Sequence, residues 1–192
     1  MAKELNNGPP PNPEHPECET IPIEQFSKAS WDRSNRIIGL LRRHTELADD
    51  TEDQIRTCVQ EVIQNVVDHA QSEIGGVMSA RYIDSSRELR VAIVDRGRGI
   101  AASLRQQYAD TTTSFIALQR VVAGHYSSRS RPNNMGIGIS NLFGLIRAAH
   151  GRIAVFSGDA LAEVHGGSSP RVDQLREGSF PGTAVFFTVP IV

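Results

Sequence analysis

Residues 89–95 read Leu-Arg-Val-Ala-Ile-Val-Asp, and no other stretch constrains the fold as strongly. The run is β-branched and nearly continuous in apolarity, which predicts a strand in the middle of a sheet. It stops at Asp95, and Arg96-Gly97-Arg98-Gly99-Ile100 follows at once. A second strand is expected over Val77–Asp84, joined to the first by a hairpin at Ser85-Ser86. Further strands are expected over 152–157 and 183–190, and a short extended piece at Ile21-Pro22-Ile23. Gly166–Pro181, rich in Gly and Ser, reads as a loop between the last two strands.

The helical signals lie on either side of this pair. Ser30–Ala48 carries apolar residues at helical spacing, with Ser30 as N-cap. Asp49-Asp50-Thr51 breaks that pattern and caps a second helix over Glu52–Ala70. There Ile55, Val59, Val62, Val66 and Ala70 recur at three- and four-residue steps. Helices are also expected at Ala101–Tyr108, Phe115–Val122 and Ile137–Ala149, the last ending in a cap break at Gly151. The order predicts an α+β fold: a two-layer α/β sandwich with a mixed, mostly antiparallel sheet and helices on one face.

The 192 residues suit one domain. Residues 1–20, with five prolines, bury too little apolar surface to offset their ordering entropy and read as a flexible tail. The domain is expected over 21–192. A formal net charge of −2 supplies no bulk attraction for nucleic acid or a membrane surface, so neither is an expected partner. No apolar run is long enough to span a bilayer, and no signal-peptide pattern opens the chain. A cytoplasmic location is the expectation. Cys18 and Cys58 lack the spacing of a zinc site and read as free thiols.

Four clusters carry candidate chemistry. Glu61 and Asn65 are one helical step of four apart and share a face, with Asp68 and Ser72 continuing the stripe. An Asn oxygen can ligate Mg2+, and a carboxylate beside it can polarise water. Asp95 ends a buried strand, where it can accept a hydrogen bond from an exocyclic amine. Gly97 and Gly99 would let backbone approach a flat ring. Gly136-Ile137-Gly138 precede a helix, whose N-terminus suits phosphate. Dinucleotide and Walker A fingerprints are both absent from it. Pro181-Gly182-Thr183 opens the last strand. Each cluster alone also reads as a turn or a solvated polar face.

Together, in this order, they resemble the GHKL superfamily, the ATPase fold shared by gyrase B, MutL and histidine kinases. EVIQNVVDHA resembles its N box, DRGRGI its first glycine box, NNMGIGISNL its second and PGTAVFF its third, over residues 50–192. The resemblance implies ATP and Mg2+ as cofactors. It implies that Glu61 is the general base, Asn65 the metal ligand and Asp95 the partner of the adenine amine. Gly97, Gly99 and Ile100 would lie beside adenine, with Thr183 near it. Gly136, Ile137 and Gly138 would form the phosphate loop next to a lid at 124–135, and His69 would approach a phosphate. Asn134 stands where the second box usually has a further glycine, and Arg129 and Arg131 fall in the lid.

Three functions follow from the resemblance. The chain resembles stand-alone anti-sigma-factor serine kinases, which implies ATP-dependent action on a regulatory protein partner. It is also similar to the catalytic piece of a sensor histidine kinase, with His44 as the candidate phosphoacceptor. Thirdly, it fits a nucleotide-responsive binding module with little turnover. A homodimer is consistent with the resemblance.

Overall fold

A computed structural model describes residues 18–105, 108–124 and 139–191. The chain forms strand β1 (Cys18–Phe26), then helices α1 (Trp31–Arg42) and α2 (Asp49–Asn65), which a π-helical turn continues over Val66–Ala70. Strands β2 (Gly76–Ile83) and β3 (Glu88–Asp95) precede helices α3 (Gly99–Arg105), α4 (Ser114–Val122) and α5 (Ile139–Ala148). Strands β4 (Arg152–Gly158), β5 (Ala160–His165), β6 (Arg171–Gln174) and β7 (Phe180–Pro190) complete it.

The strands form one seven-stranded sheet in the order β1-β2-β3-β7-β4-β5-β6. The apolar run at 89–95 is central, as expected, between β2 and β7. Every pairing is antiparallel, so the parallel component of a mixed sheet does not occur among the described strands. Burial alternates along the strands with the period of the pleat. Leu89, Val91 and Ile93 are buried, as are Ile153, Val155, Val185 and Phe187. They pack with Ile37, Leu41, Val59, Ile63, Leu118 and Phe143 of the helices. The class is α+β, with one sheet face under helices.

Several boundaries differ from those read in the sequence. β1 starts at Cys18, inside the segment read as a tail; residues 1–17 lie outside the described residues. Ser30 does cap α1, its Oγ accepting from the Asp32 N–H at 3.2 Å. That helix stops at Arg42 rather than Ala48. Arg43 and His44 turn instead toward Glu19 of β1. Asp49 and Asp50 do not cap the next helix but form its first turn, where acidic side chains complement the helix dipole. Ser72 lies beyond the helix, so it does not continue the Glu61–Asn65 stripe.

At the end of α5 the left-handed residue is His150, with φ of 52°, not Gly151. Gly151 is small for another reason: a Cβ there would lie 2.2 Å from the Thr188 carbonyl oxygen of β7. The loop expected over 166–181 contains β6, which pairs with β5, a strand the sequence pattern left unassigned. β6 is a four-residue polar edge strand, and its pairing rather than its composition makes it a strand.

Candidate functional site

The end of α2 and the end of β3 meet through backbone. Helix ends leave carbonyls without intrahelical partners. Here the loop after β3 supplies donors. The Arg98 N–H donates to Ala70 O at 2.8 Å, and Arg98 Nε donates to His69 O at 2.8 Å. Ser103 Oγ donates to the same His69 oxygen at 3.1 Å. The contact is close enough that only glycine fits at 97: a Cβ would sit 2.0 Å from Ala70 O. The π-helical turn over Val66–Ala70 lies in this junction, and such turns recur at functional sites.

A second junction joins β3, β4 and β7. Asp95 pairs with Thr183 across the sheet. Its Oδ1 accepts the Gly97 N–H at 2.8 Å and the Thr183 N–H at 3.2 Å. Gly182 has φ of 105°, and a Cβ there would lie 2.2 Å from Asp95 O. Ser157 Oγ accepts the Ile100 N–H at 2.8 Å and donates to Gly182 O at 3.1 Å. Gly99 approaches that same Ser157 oxygen. Gly97 is therefore occupied by its contact with Ala70, whereas Gly99 packs on Ser157 and also lines the cleft that opens beside it.

Between the two junctions opens a cleft. Its floor is apolar, with Val62, Ile93, Ile100 and Val185 among the walls. Asn65, His69, Asp95 and Thr183 converge on it. Among the described residues, the Asn65 carboxamide and the His69 ring make no hydrogen bond. Asp95 is 4% exposed, and among the described residues only its Oδ1 meets protein donors. Burial raises its carboxyl above the ordinary Asp range, and the two backbone N–H groups offset part of that.

Glu61 does not line this cleft. It is half-buried one turn before Asn65, and burial raises its carboxyl above the ordinary range. Gly136, Ile137 and Gly138 fall outside the described residues, as do Arg129, Arg131, Asn134 and the lid apart from Gly124. Ser157, Arg98 and Ser103 were missed in the sequence. Arg98 stands within the first glycine box, but Ser103 and Ser157 stand in no recognisable spacing, and Ser157 reaches the site only because β4 lies beside β7.

The profile of the histidine kinase-like ATPase domain matches residues 32–143, more than half of the chain. The chain belongs to the histidine kinase-like ATPase family. As such an ATPase it binds ATP. The match takes in α1, the N box and the first two glycine boxes; the third box, at 181–187, lies beyond it. No curated protein matches the chain. No helix among the described residues of this ATPase is long and apolar enough to cross a membrane.

His44 has a different environment from the cleft residues. Its Nε2 lies 2.8 Å from Glu19 and its Nδ1 2.9 Å from Asp84. The ring stacks on Tyr82 at 4.4 Å.

Proposed function

We propose that the protein is a Mg2+-dependent ATP-using regulator that transfers phosphate to a protein partner, with the cleft between α2 and β3 as its nucleotide site. The observation that carries this reading is Asp95. It is a buried carboxylate with one oxygen tied to Gly97 and Thr183 and the other without a protein donor among the described residues. An adenine amine supplies the missing donor, and the apolar floor suits the purine ring. Thr183 and Ile100 border the same space.

Asn65 and His69 line the wall where a triphosphate would run. Among the described residues no three His, Cys, Asp or Glu side chains gather into a metal site. That fits Mg2+, which is commonly held by one or two protein oxygens together with substrate phosphates and waters. Asn65 would hold it, and the ion would neutralise charge on the phosphates. Gly136, Ile137 and Gly138 are assigned to the phosphates by their box alone. Glu61, its carboxyl raised by burial, is the candidate general base.

The decisive measurement separates binding from turnover. Titrating ATP into Glu61→Ala should leave the affinity unchanged, while phosphate release and transfer from labelled ATP are lost. Turnover equal to the wild type would sink the catalytic assignment. Glu61's position off the cleft wall favours one alternative, a nucleotide-responsive binding module with little turnover, and partner function retained in Glu61→Ala would select it. The reading as a sensor-kinase piece requires phosphate on His44. That ring is wedged between two carboxylates, which oppose a phosphoryl group by like charge.

A further inference from the structure

The sheet has one covered face and one open face. Along β3, Leu89, Val91 and Ile93 are buried, whereas Arg90, Ala92 and Val94 are not. An open antiparallel face is commonly polar. This one has a small and aromatic floor. Ala92 pairs with Phe186, and Phe186 with Ala154. Phe186 is 43% exposed, and its ring meets Phe156 edge to face at 6.2 Å.

A basic row runs beside that floor. Arg81 pairs with Arg90, Arg90 with Thr188, and Thr188 with Arg152. Like charges directly opposite one another on neighbouring strands destabilise a sheet. One carboxylate offsets the row: Glu88 lies 2.9 Å from Arg90 and 3.1 Å from Arg152. Arg81 has no ion pair among the described residues, and its Nε donates only to Thr20 Oγ1 at 3.3 Å. Floor and row together line a shallow groove of about 1200 Å³, open to solvent.

We propose that this face docks an acidic, amphipathic segment of a protein partner. Its apolar side chains would seat against Phe186 and the alanines beside it. Its carboxylates would meet Arg81, Arg90 and Arg152. Aromatic and arginine side chains carry much of the binding energy of protein interfaces. The guanidinium fork also matches a carboxylate in two-point contact. A nucleic acid fits less well. Glu88 sits between two of the arginines, and Glu163 pairs with Ala154 on the same face. Fixed carboxylates oppose an unbroken phosphate chain, whereas a peptide can alternate charge with apolar anchors. The surface lies across the sheet from the nucleotide cleft and does not depend on it.

The test uses the full chain and three fluorescent probes. These are a short peptide alternating Glu with Phe and Leu, the same peptide with Lys for Glu, and single-stranded oligo(U). Anisotropy gives affinity, and backbone NMR shifts give location. The expected result is binding of the acidic peptide, with shifts centred on 90–92, 152–154 and 186–188. The triple variant Arg81→Ser, Arg90→Ser, Arg152→Ser should weaken it by about tenfold or more, as should Phe186→Ser. The triple Arg→Lys variant keeps the charge but loses the two-point contact, so it should bind more tightly than the Ser variant and less tightly than the wild type. ATP affinity should stay unchanged throughout. Equal affinity for the Lys peptide, tighter binding of oligo(U), or shifts elsewhere would overturn the proposal. So would dimerisation that covers Phe186 in the absence of peptide.

Discussion

On the strand-end wall of the cleft the backbone polar groups are committed to the protein itself and only one oxygen of Asp95 is left open among the described residues, while on the helical wall Asn65 and His69 leave their side chains open. Asp95, Gly97, Gly182, Ser157 and Ile100 form an interlocked set of short backbone contacts. Their geometry is pre-formed, so little ordering remains to be done when a ligand arrives. The helical wall rests on backbone too, through Arg98 and the carbonyls of His69 and Ala70. Its side chains are not held by hydrogen bonds among the described residues. Substitutions at Gly97, Gly182 and Ser157 therefore act through the fold, and those at Asp95, Asn65 and His69 act through the ligand.

That contrast can be broken at four points, in order of falling effect. Gly97→Ala drives a Cβ into the Ala70 carbonyl. It should cost about 3 kcal/mol in denaturant unfolding and abolish ATP binding with it. A variant of near wild-type stability would show that the junction yields. Ser157→Ala leaves the Ile100 N–H without its buried acceptor. A loss of about 1–3 kcal/mol is expected, with a smaller drop in affinity.

Asp95→Asn should weaken ATP roughly 10- to 100-fold by calorimetry, because its amide N–H₂ or its shared oxygen replaces a free acceptor. Its stability should hold or rise near neutral pH. The sign follows from the raised carboxyl. A folded-state value above the unfolded one favours the folded state at low pH, and that advantage is lost as pH rises through the folded value. ATP binding runs the other way. It requires the carboxylate, so wild-type affinity should fall on acidification, beginning above the usual Asp range, and the Asn variant should show no such step. Smallest of the four is Asn65→Ala. Unfolding should shift by less than about 0.5 kcal/mol, as for a substitution that breaks no buried contact. Only the Mg2+-dependent part of ATP affinity should decline. Equal loss with and without Mg2+ would contradict its role as ligand.

Much of the fold was legible because periodicity reports burial directly. The helical steps at Ile55, Val59 and Val62 and the run at 89–95 place their elements correctly. β5 and β6 were hidden, since neither carries a strong alternation and each depends on its neighbour in the sheet. The end of α1 was misread because propensity continues past Arg42, while Glu19 and Asp84 draw the following residues away.

The nucleotide boxes were legible as ordered motifs, and the family match bears out the kind of protein they imply. Their internal logic was not. A glycine beside an aspartate looks alike whether it faces a ligand or a helix carbonyl. Only the packing of Ala70 against Gly97 distinguishes them.

By itself the sequence determined the α+β class, the central strand and the family, since each rests on local pattern and order along the chain. Tertiary structure alone decided which residues share the cleft, that Ser157 braces it and that Glu61 stands off its wall. It also decided that three arginines line up across the open face. Those relations join residues far apart in sequence, and strand register, which no local pattern encodes, brings them together.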